Sequence, residues 1–201
     1  MTFQEASTIP CAMVTAAFGL TLPYDSKAKL GGAGLKPFWE DGAKGCYQGR
    51  PIVVLGGSSS VGQFAIQIAS YLGFGPIITT ASLHNAEYLK SLGATHVIDR
   101  HGDASAVIKT ILPSTPVDLI FDAVHCPITQ SEVDLLAPGG VMLSIGNVPE
   151  TGLDISENKR VSLFYGIVGF HIELSKEMYK FLTKFLENGV IKVSVYSNNI
   201  A

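Results

Sequence analysis

The stretch that most constrains the fold is residues 51–73, where an apolar run meets a small-residue turn and then a helical pattern. Ile52 to Leu55 is a continuous run of branched apolar residues, which is typical of a strand buried on both faces of a parallel sheet. From Val61 onward, apolar residues recur at helical spacing, with Gln63 and Gln67 on the other side. This segment therefore predicts a strand, a tight turn and a helix.

The turn itself reads Gly-Gly-Ser-Ser-Ser-Val-Gly, and its small side chains let the backbone approach an anion closely. The N–H groups of the next helical turn would point at that anion, and the helix dipole favours negative charge. The spacing is close to G-x-G-x-x-G, with Gly57 and Gly62 at the outer positions and Ser59 at the middle one. The Ser59 hydroxyl fits either a hydrogen bond to a phosphate or a helix cap. The context predicts a dinucleotide-binding turn.

The rest of the chain alternates between strand and helix patterns. The further predicted strands are Ile77–Thr80, His96–Ile98, Val117–Ala123, Val141–Ile145 and Val161–Val168, with a last candidate at Ile191–Tyr196. The further predicted helices are Gln4–Leu20, Asn85–Leu92, Asp103–Leu112, Thr129–Leu136 and Glu173–Leu186. Strict alternation predicts an α/β Rossmann fold, a doubly wound parallel sheet of about six strands in the order 3-2-1-4-5-6 with helices on both faces. Residues 1–50 would form an entry helix and an irregular connection, and residues 51–201 the nucleotide-binding domain.

Charge and cysteine content exclude several classes of protein. The net charge is −3 with no basic run, which argues against binding to nucleic acid or to an anionic membrane surface. The uncharged stretch Ile9–Leu22 has no basic residue before it and is shorter than the ~20 residues that span a bilayer, so we expect a buried helix. Three scattered cysteines without a C-x-x-C motif predict reduced thiols in a cytoplasmic protein.

Other chemistries of α/β proteins lack their motifs here. Gln63 follows Gly62 where a P-loop has lysine, and G-x-S-x-G, the nucleophile elbow of hydrolases, does not occur. No tyrosine has a lysine four positions later, which removes the acid–base pair of short-chain dehydrogenases. A methyltransferase would usually have an acidic residue at the end of the second strand to hold a ribose, and Thr79–Ser82 contains none.

Five segments, in order and spacing, resemble the medium-chain dehydrogenase/reductase superfamily: Glu5–Ala17, Val54–Gly62, Ser82–Asn85, Leu92–Asp99 and Leu136–Val141. The resemblance covers nearly the whole chain and is to the nucleotide-binding domain of the zinc-free, quinone-oxidoreductase and enoyl-reductase-like branch. It implies hydride transfer from NADPH to a small-molecule substrate, an activated alkene or a quinone.

The resemblance also implies which residues would hold the cofactor. The pyrophosphate would be held by Ser59, Ser60, Val61 and Gly62, and the adenosine ribose with its 2′-phosphate by Ser82, Leu83, His84 and Asn85. Arg100 falls where relatives usually have a tyrosine beside that phosphate, Asn147 and Val148 would lie near the nicotinamide, and Thr15 would touch its carboxamide. No catalytic residue is assigned.

Simpler interpretations of these residues remain open. Ser82–Asn85 could be no more than an N-cap for the next helix, and Arg100 could be a solvated surface charge. Asp122 is interpreted as a hydrogen-bonded structural acid. Cys11 falls where zinc-dependent relatives have a metal ligand, but without partners at suitable spacing we expect a buried thiol and no zinc.

In this superfamily a barrel-like, GroES-like catalytic domain of ~100 residues precedes the nucleotide domain. The sequence starts just before the entry helix, so we expect that domain to be absent, the chain to be a truncated product or a fragment, and its turnover alone to be weak. The alternative is a dinucleotide-binding module without turnover that acts through self-association as a homodimer or through a partner.

Overall fold

The computed structural model of the protein describes residues 2–26, 30–124, 127–146, 152–164 and 171–193. The strands are β1 (Tyr24–Asp25), β2 (Leu30–Gly31), β3 (Ile52–Leu55), β4 (Ile77–Ala81), β5 (His96–Asp99), β6 (Val117–Asp122), β7 (Leu136–Ser144) and β8 (Arg160–Leu163). The helices are α1 (Phe3–Ser7), α2 (Ile9–Thr21), α3 (Ser60–Leu72), α4 (Ala86–Ser91), α5 (Ala104–Ile111), α6 (Gln130–Val133) and α7 (Ile172–Glu187). A single 3₁₀ turn, Leu83–Asn85, precedes α4.

The strands form one sheet in the order β1-β2-β8-β7-β6-β3-β4-β5. From β3 to β8 all neighbours pair in parallel, and these six strands have the predicted order 3-2-1-4-5-6. Their carboxyl ends therefore lie along one edge of the sheet, where doubly wound folds bind their ligands. The two-residue strands β1 and β2 were not predicted; β2 pairs with β8 and extends that side of the sheet.

Both faces of the sheet are covered, because alternate side chains of each strand enter different cores. Ile52 and Val54 of β3 pack in the core that includes residues of α2, α3 and α7. Val53 and Leu55 pack in the second core, which includes Ile108 of α5 and Val133 of α6. The predicted α/β architecture with helices on both faces is confirmed.

The amino-terminal region differs from the single helix predicted over Gln4–Leu20. It forms two helices, α1 and α2, separated at Thr8. Pro10 has no N–H to donate, so it would break the hydrogen-bond pattern in the middle of one continuous helix. In the first turn of α2, where an N–H has no helical acceptor, its presence costs nothing. No helix in the described part of the chain is long and apolar enough to cross a membrane.

Two further element predictions need correction. The helix predicted over Thr129–Leu136 is only the four-residue α6, because Leu136 is buried and already pairs with Val117 as the start of β7. In the predicted strand Ile191–Tyr196, residues 191–193 are irregular, and 194–196 lie outside the described residues. Residues 165–168 of the predicted sixth strand also lie outside them.

Arg160 connects β8 to the amino-terminal segment. Its guanidinium lies 4.2 Å from the centroid of the Tyr24 ring and donates a 3.0 Å hydrogen bond to the carbonyl of Gly32. Burial lowers the pKa of Arg160 from its ordinary value, and the interaction with Tyr24 partly opposes this. The contact fixes β1 and β2 against the edge of the parallel sheet.

Candidate cofactor site

The turn between β3 and α3 is held by two threonines of the neighbouring strand β4. The N–H of Gly56 donates to the Thr80 hydroxyl at 2.9 Å, and the N–H of Gly57 donates to the Thr80 carbonyl at 3.0 Å. The Thr79 hydroxyl donates to the carbonyl of Val54 at 2.6 Å. β4 therefore carries, near its carboxyl end, two hydroxyl groups that shape the turn, and Thr79–Ser82 contains no acid.

Two glycines of the turn are required by close backbone approach. A Cβ atom at Gly62 would lie 2.3 Å from the carbonyl oxygen of Gly56, and one at Gly57 would lie 2.1 Å from the Thr79 hydroxyl. Both distances are far below van der Waals contact, so α3 packs directly on the turn. The result is a compact strand–turn–helix unit in which the two glycines are buried and the small residues Ser58–Ser60 lie at or near the surface.

Ser59 caps α3, which is 13 residues long, by accepting a hydrogen bond from the N–H of Gly62 at 3.0 Å. The capping interpretation is thus confirmed, and its hydroxyl hydrogen remains able to donate to a phosphate. Among the described residues, none accepts a hydrogen bond from the N–H of Ser60 or Val61. Ser60 is exposed and Val61 is half-buried, and both N–H groups lie at the positive end of the helix dipole.

The ends of β4 and β5 bring Ser82 and Arg100 next to each other. Ala81 pairs with Asp99, and the N–H of Arg100 donates to the carbonyl of Ala81 at 3.1 Å. The Ser82 side chain makes no capping hydrogen bond, so the interpretation of Ser82 as only a helix cap is not supported. Leu83, His84 and Arg100 are exposed, and Asn85 is half-buried.

A cavity of about 670 Å³ joins these elements. Its wall contains Gly56 and Ser58 of the turn, Thr80 and Ala81 of β4, and Arg100. The opposite wall is formed by residues of the loops and helix starts after β5 and β6, including His101, Asp103, Val124 and Glu132. The cavity lies at the carboxyl edge of the sheet and contains both polar and apolar wall atoms, as a mononucleotide site does.

Two features around the glycine turn and the cavity were not predicted from the sequence. Gln63, expected on the polar side of α3, is buried; its amide donates to the carbonyl of Ser58 at 3.0 Å and accepts from the Tyr88 hydroxyl at 2.9 Å. It therefore links α4 to the glycine turn. His101, to which no role was given, lines the cavity beside Arg100. Its position next to Arg100 in the sequence was the available signal.

The predicted nicotinamide side is only partly described. Asn147 and Val148 lie outside the described residues. Thr15 is half-buried on α2, and its hydroxyl donates to the carbonyl of Cys11 at 2.8 Å. One turn later, a Cβ atom at Gly19 would lie 2.9 Å from the Phe121 ring near the end of β6. The cofactor contacts of Thr15, Asn147 and Val148 stay predictions.

Asp122, the last residue of β6, is buried and hydrogen-bonded as the sequence suggested. Its carboxyl group accepts from the Ser144 hydroxyl at 2.7 Å and from the N–H of Val124 at 3.0 Å. The first bond ties β6 to β7, and the second fixes a residue of the cavity wall. Asp122 therefore organises the carboxyl edge of the sheet and is not placed to act as a catalyst.

Cys11 is exposed, which corrects the expectation of a buried thiol, since it lies in the solvent-facing first turn of α2. In the described part of the chain, no group of three or more His, Cys, Asp or Glu side chains is arranged to hold a metal ion. A catalytic zinc needs three protein ligands, and the residues around Cys11 do not fit one.

We expect metal analysis of the purified protein to find much less than one zinc per chain, with no difference between wild type and Cys11→Ser. The reason is that one exposed thiolate cannot supply the tetrahedral ligand set that zinc requires. Stoichiometric zinc that disappears in Cys11→Ser would contradict this prediction.

Comparison with known proteins finds relatives that are dehydrogenases and reductases. The profile of the zinc-binding dehydrogenase family matches residues 60–188. A zinc-type alcohol dehydrogenase-like protein of Schizosaccharomyces pombe is 30% identical over 210 residues, covering 95% of this chain and 57% of that protein. The trans-enoyl reductase TOXD of Cochliobolus carbonum is 31% identical over 171 residues, covering 84% of this chain and 52% of that protein. The chain thus spans about half the length of these relatives.

Solved structures show the same fold. The CurK enoyl reductase superposes with a TM-score of 0.70 at 25% identity, covering 97% of this chain and 55% of that one. The apo form of the JamJ enoyl reductase gives a TM-score of 0.72 at 22% identity, covering 98% of this chain and 55% of that one. The predicted Rossmann fold therefore agrees with both sequence and structure comparisons.

Proposed function

Because this chain belongs to the zinc-binding dehydrogenase family of the medium-chain dehydrogenase/reductase superfamily, we propose that it binds NADPH and is the nucleotide-binding part of a reductase. The observation that carries the proposal is the cavity in which the glycine turn, the end of β4 and Arg100 meet. The N–H groups of Ser60 and Val61, for which the described residues provide no acceptor, suit the pyrophosphate. Arg100, beside a β4 end whose residues Thr79–Ser82 include no acid, suits a 2′-phosphate.

The residues present fit such a cofactor. The pyrophosphate would lie against the start of α3, which the close packing of Gly57 and Gly62 holds directly on the turn. The adenosine ribose would lie between the turn and the end of β4, near Ser82 and Arg100. The full proposed set is Gly57, Ser59, Ser60, Val61, Gly62, Ser82, Leu83, His84, Asn85 and Arg100, with Thr15, Asn147 and Val148 on the nicotinamide side.

The names of the relatives support a reaction class. Several of them are trans-enoyl reductases, so we propose an activated alkene, such as an enoyl thioester, or a quinone as hydride acceptor. The bound cofactor would supply the hydride, and the protein would supply placement and electrostatics. In this chain those tasks fall to the turn, which orients the diphosphate, and to the β4 and β5 ends, which hold the ribose.

Two features of the described residues favour NADPH over NADH. An NAD site typically has a carboxylate at the end of the second strand to bind the ribose 2′-hydroxyl. Here the strand ends Thr79-Thr80-Ala81 without an acid, and its two threonines hold the turn. Arg100 uses its Nε to donate to His101, which leaves its two Nη groups for a bidentate bond to a phosphate.

We expect the wild-type protein to bind NADPH about tenfold more tightly than NADH, since one charge-assisted bond at an exposed site has an effect of that order. Arg100→Ala should remove most of this preference and leave the NADH affinity nearly unchanged. Calorimetric titration of both cofactors against both proteins measures it.

Arg50→Ala is the matched control. Arg50 precedes β3 at the opposite edge of the sheet and pairs with Asp118 at 2.9 Å, so its loss should not change the cofactor preference. Equal affinities of the wild type for NADPH and NADH would overturn the NADPH assignment. A preference for NADPH that survives Arg100→Ala would indicate that Ser82, His84 and Asn85 provide the selectivity.

A further inference from the structure

We propose that Gln63 is a positioning residue for the cofactor, because it holds the backbone of the glycine turn in the orientation that a diphosphate requires; this inference rests on the proposed NADPH function. Gln63 is the fourth residue of α3, and it is 7% exposed. Its amide nitrogen donates to the carbonyl of Ser58 at 3.0 Å, and its amide oxygen accepts from the Tyr88 hydroxyl at 2.9 Å. Ser58 lines the cavity and Gln63 is buried, so Gln63 would act on the cofactor through the turn.

The two partners determine which way the Gln63 amide faces. A backbone carbonyl can only accept a hydrogen bond, so the atom beside the Ser58 carbonyl must be the amide nitrogen. The amide oxygen then accepts from the Tyr88 hydroxyl. Both ends of the buried amide therefore have a partner, which holds the side chain in one orientation.

Gln63 orients two successive carbonyl groups of the turn. Its side chain binds the Ser58 carbonyl, and its backbone N–H donates to the Ser59 carbonyl at 3.0 Å. A trans peptide unit is planar, with its C=O and N–H on opposite sides, so the N–H of Ser60 points away from the body of α3. The N–H of Ser59 donates to the Gly56 carbonyl at 3.0 Å, so the peptide unit that carries the Ser58 carbonyl is fixed at both ends. Neither carbonyl is then turned toward the place of the diphosphate, where it would repel the anion.

The bond to Tyr88 joins the turn to the segment that is proposed to hold the ribose. Tyr88 lies in the first turn of α4, directly after Ser82–Asn85. The Gln63 amide is therefore a direct contact between the two segments that a dinucleotide would bridge. NADPH and NADH share the diphosphate and the ribose, so loss of this amide should weaken both cofactors equally, whereas Arg100→Ala should change their ratio.

Calorimetric titration of NADPH and NADH against Gln63→Met tests the proposal, because methionine has a similar length but neither an amide donor nor an amide acceptor. Both affinities should fall about tenfold, which corresponds to the net contribution of one neutral hydrogen bond. The ratio of the NADPH affinity to the NADH affinity should stay at its wild-type value.

Gln67→Met is the matched control, because Gln67 lies one turn later on α3 and is 3% exposed. Its amide bonds to backbone groups of Gln63 and Lys192 instead of to the turn. Both variants should lower the midpoint of thermal unfolding, since each removes a buried, hydrogen-bonded amide. Only Gln63→Met should weaken cofactor binding.

Tyr88→Phe is a milder variant that removes the hydroxyl and leaves Gln63 in place. Both affinities should fall about threefold, at the low end of what a neutral hydrogen bond contributes. The double variant should bind no more weakly than Gln63→Met alone, because the two side chains act through the same contact. Lost stability by itself would not produce this coupling between cofactor affinities.

Wild-type affinities in Gln63→Met, or equal losses in Gln63→Met and Gln67→Met, would overturn the positioning role and leave the NADPH proposal standing. If Gln63→Met does not fold, Tyr88→Phe decides, and unchanged affinities in that variant would overturn the role. If the wild type binds neither cofactor, the proposed function itself fails, and this inference fails with it.

Discussion

Replacing Asp122 with alanine is expected to lower the free energy of unfolding by about 4 kcal/mol, because a buried acceptor of two hydrogen bonds is removed. The Ser144 hydroxyl and the N–H of Val124 both donate to the Asp122 carboxyl group. Neither donor gains a compensating partner from an alanine side chain, and each loss costs about 1–3 kcal/mol. Urea unfolding followed by circular dichroism measures the difference.

Asp118→Ala is the control for this prediction, since Asp118 lies on the same strand, β6. Its carboxylate is 34% exposed and pairs with Arg50, and such a surface ion pair contributes at most about 1 kcal/mol. A change in unfolding free energy that is no larger for Asp122→Ala than for Asp118→Ala would contradict the structural role of Asp122. The fraction of Asp122→Ala that remains folded should also bind NADPH more weakly, because Val124 forms part of the cavity wall.

The sheet could be predicted from the sequence because its signals are local and strong. The run Ile52–Leu55 is apolar at every position, and all four residues are buried. Once strands and helices alternate, the rule of right-handed crossovers leaves few topologies, so the strand order followed as well. The same topology brings Ser82 and Arg100 of the candidate site together, because the ends of neighbouring parallel strands meet at one edge of the sheet.

What could not be predicted depends on tertiary contacts. Gln63 and Gln67 look like the solvent side of α3, but they are buried because α4 and the segment around Lys192 cover them and bond to their amides. Pairing of Leu136 with Val117 ended α6 early. The place of His101 in the cavity wall depends on how the chain turns after β5, which the hydrophobic pattern of the sequence does not encode.

Ser60→Asp is expected to weaken NADPH binding about 100-fold while leaving the fold intact or slightly stabilised. Ser60 is exposed in the first turn of α3, where its N–H and that of Val61 have no acceptor among the described residues. An aspartate there interacts favourably with the helix dipole and stabilises the helix by about 0.3–1 kcal/mol. The same charge would lie within a few ångströms of the bound diphosphate and repel it, and a loss of about 2.7 kcal/mol in a partly desolvated site corresponds to 100-fold.

Ser60→Asp is expected to weaken NADPH binding without lowering stability, which makes it a sharper test than a substitution at Gly62. Any side chain at Gly62 meets the carbonyl of Gly56, so lost binding there could follow from a displaced turn. Ser70→Asp is the matched control, because Ser70 is exposed near the other end of α3, where the same charge opposes the dipole and is far from the turn. NADPH fluorescence titration and thermal unfolding of the three proteins should show weak binding only in Ser60→Asp and a lower midpoint only in Ser70→Asp. Equal NADPH affinity in Ser60→Asp and wild type would remove the start of α3 from the cofactor site.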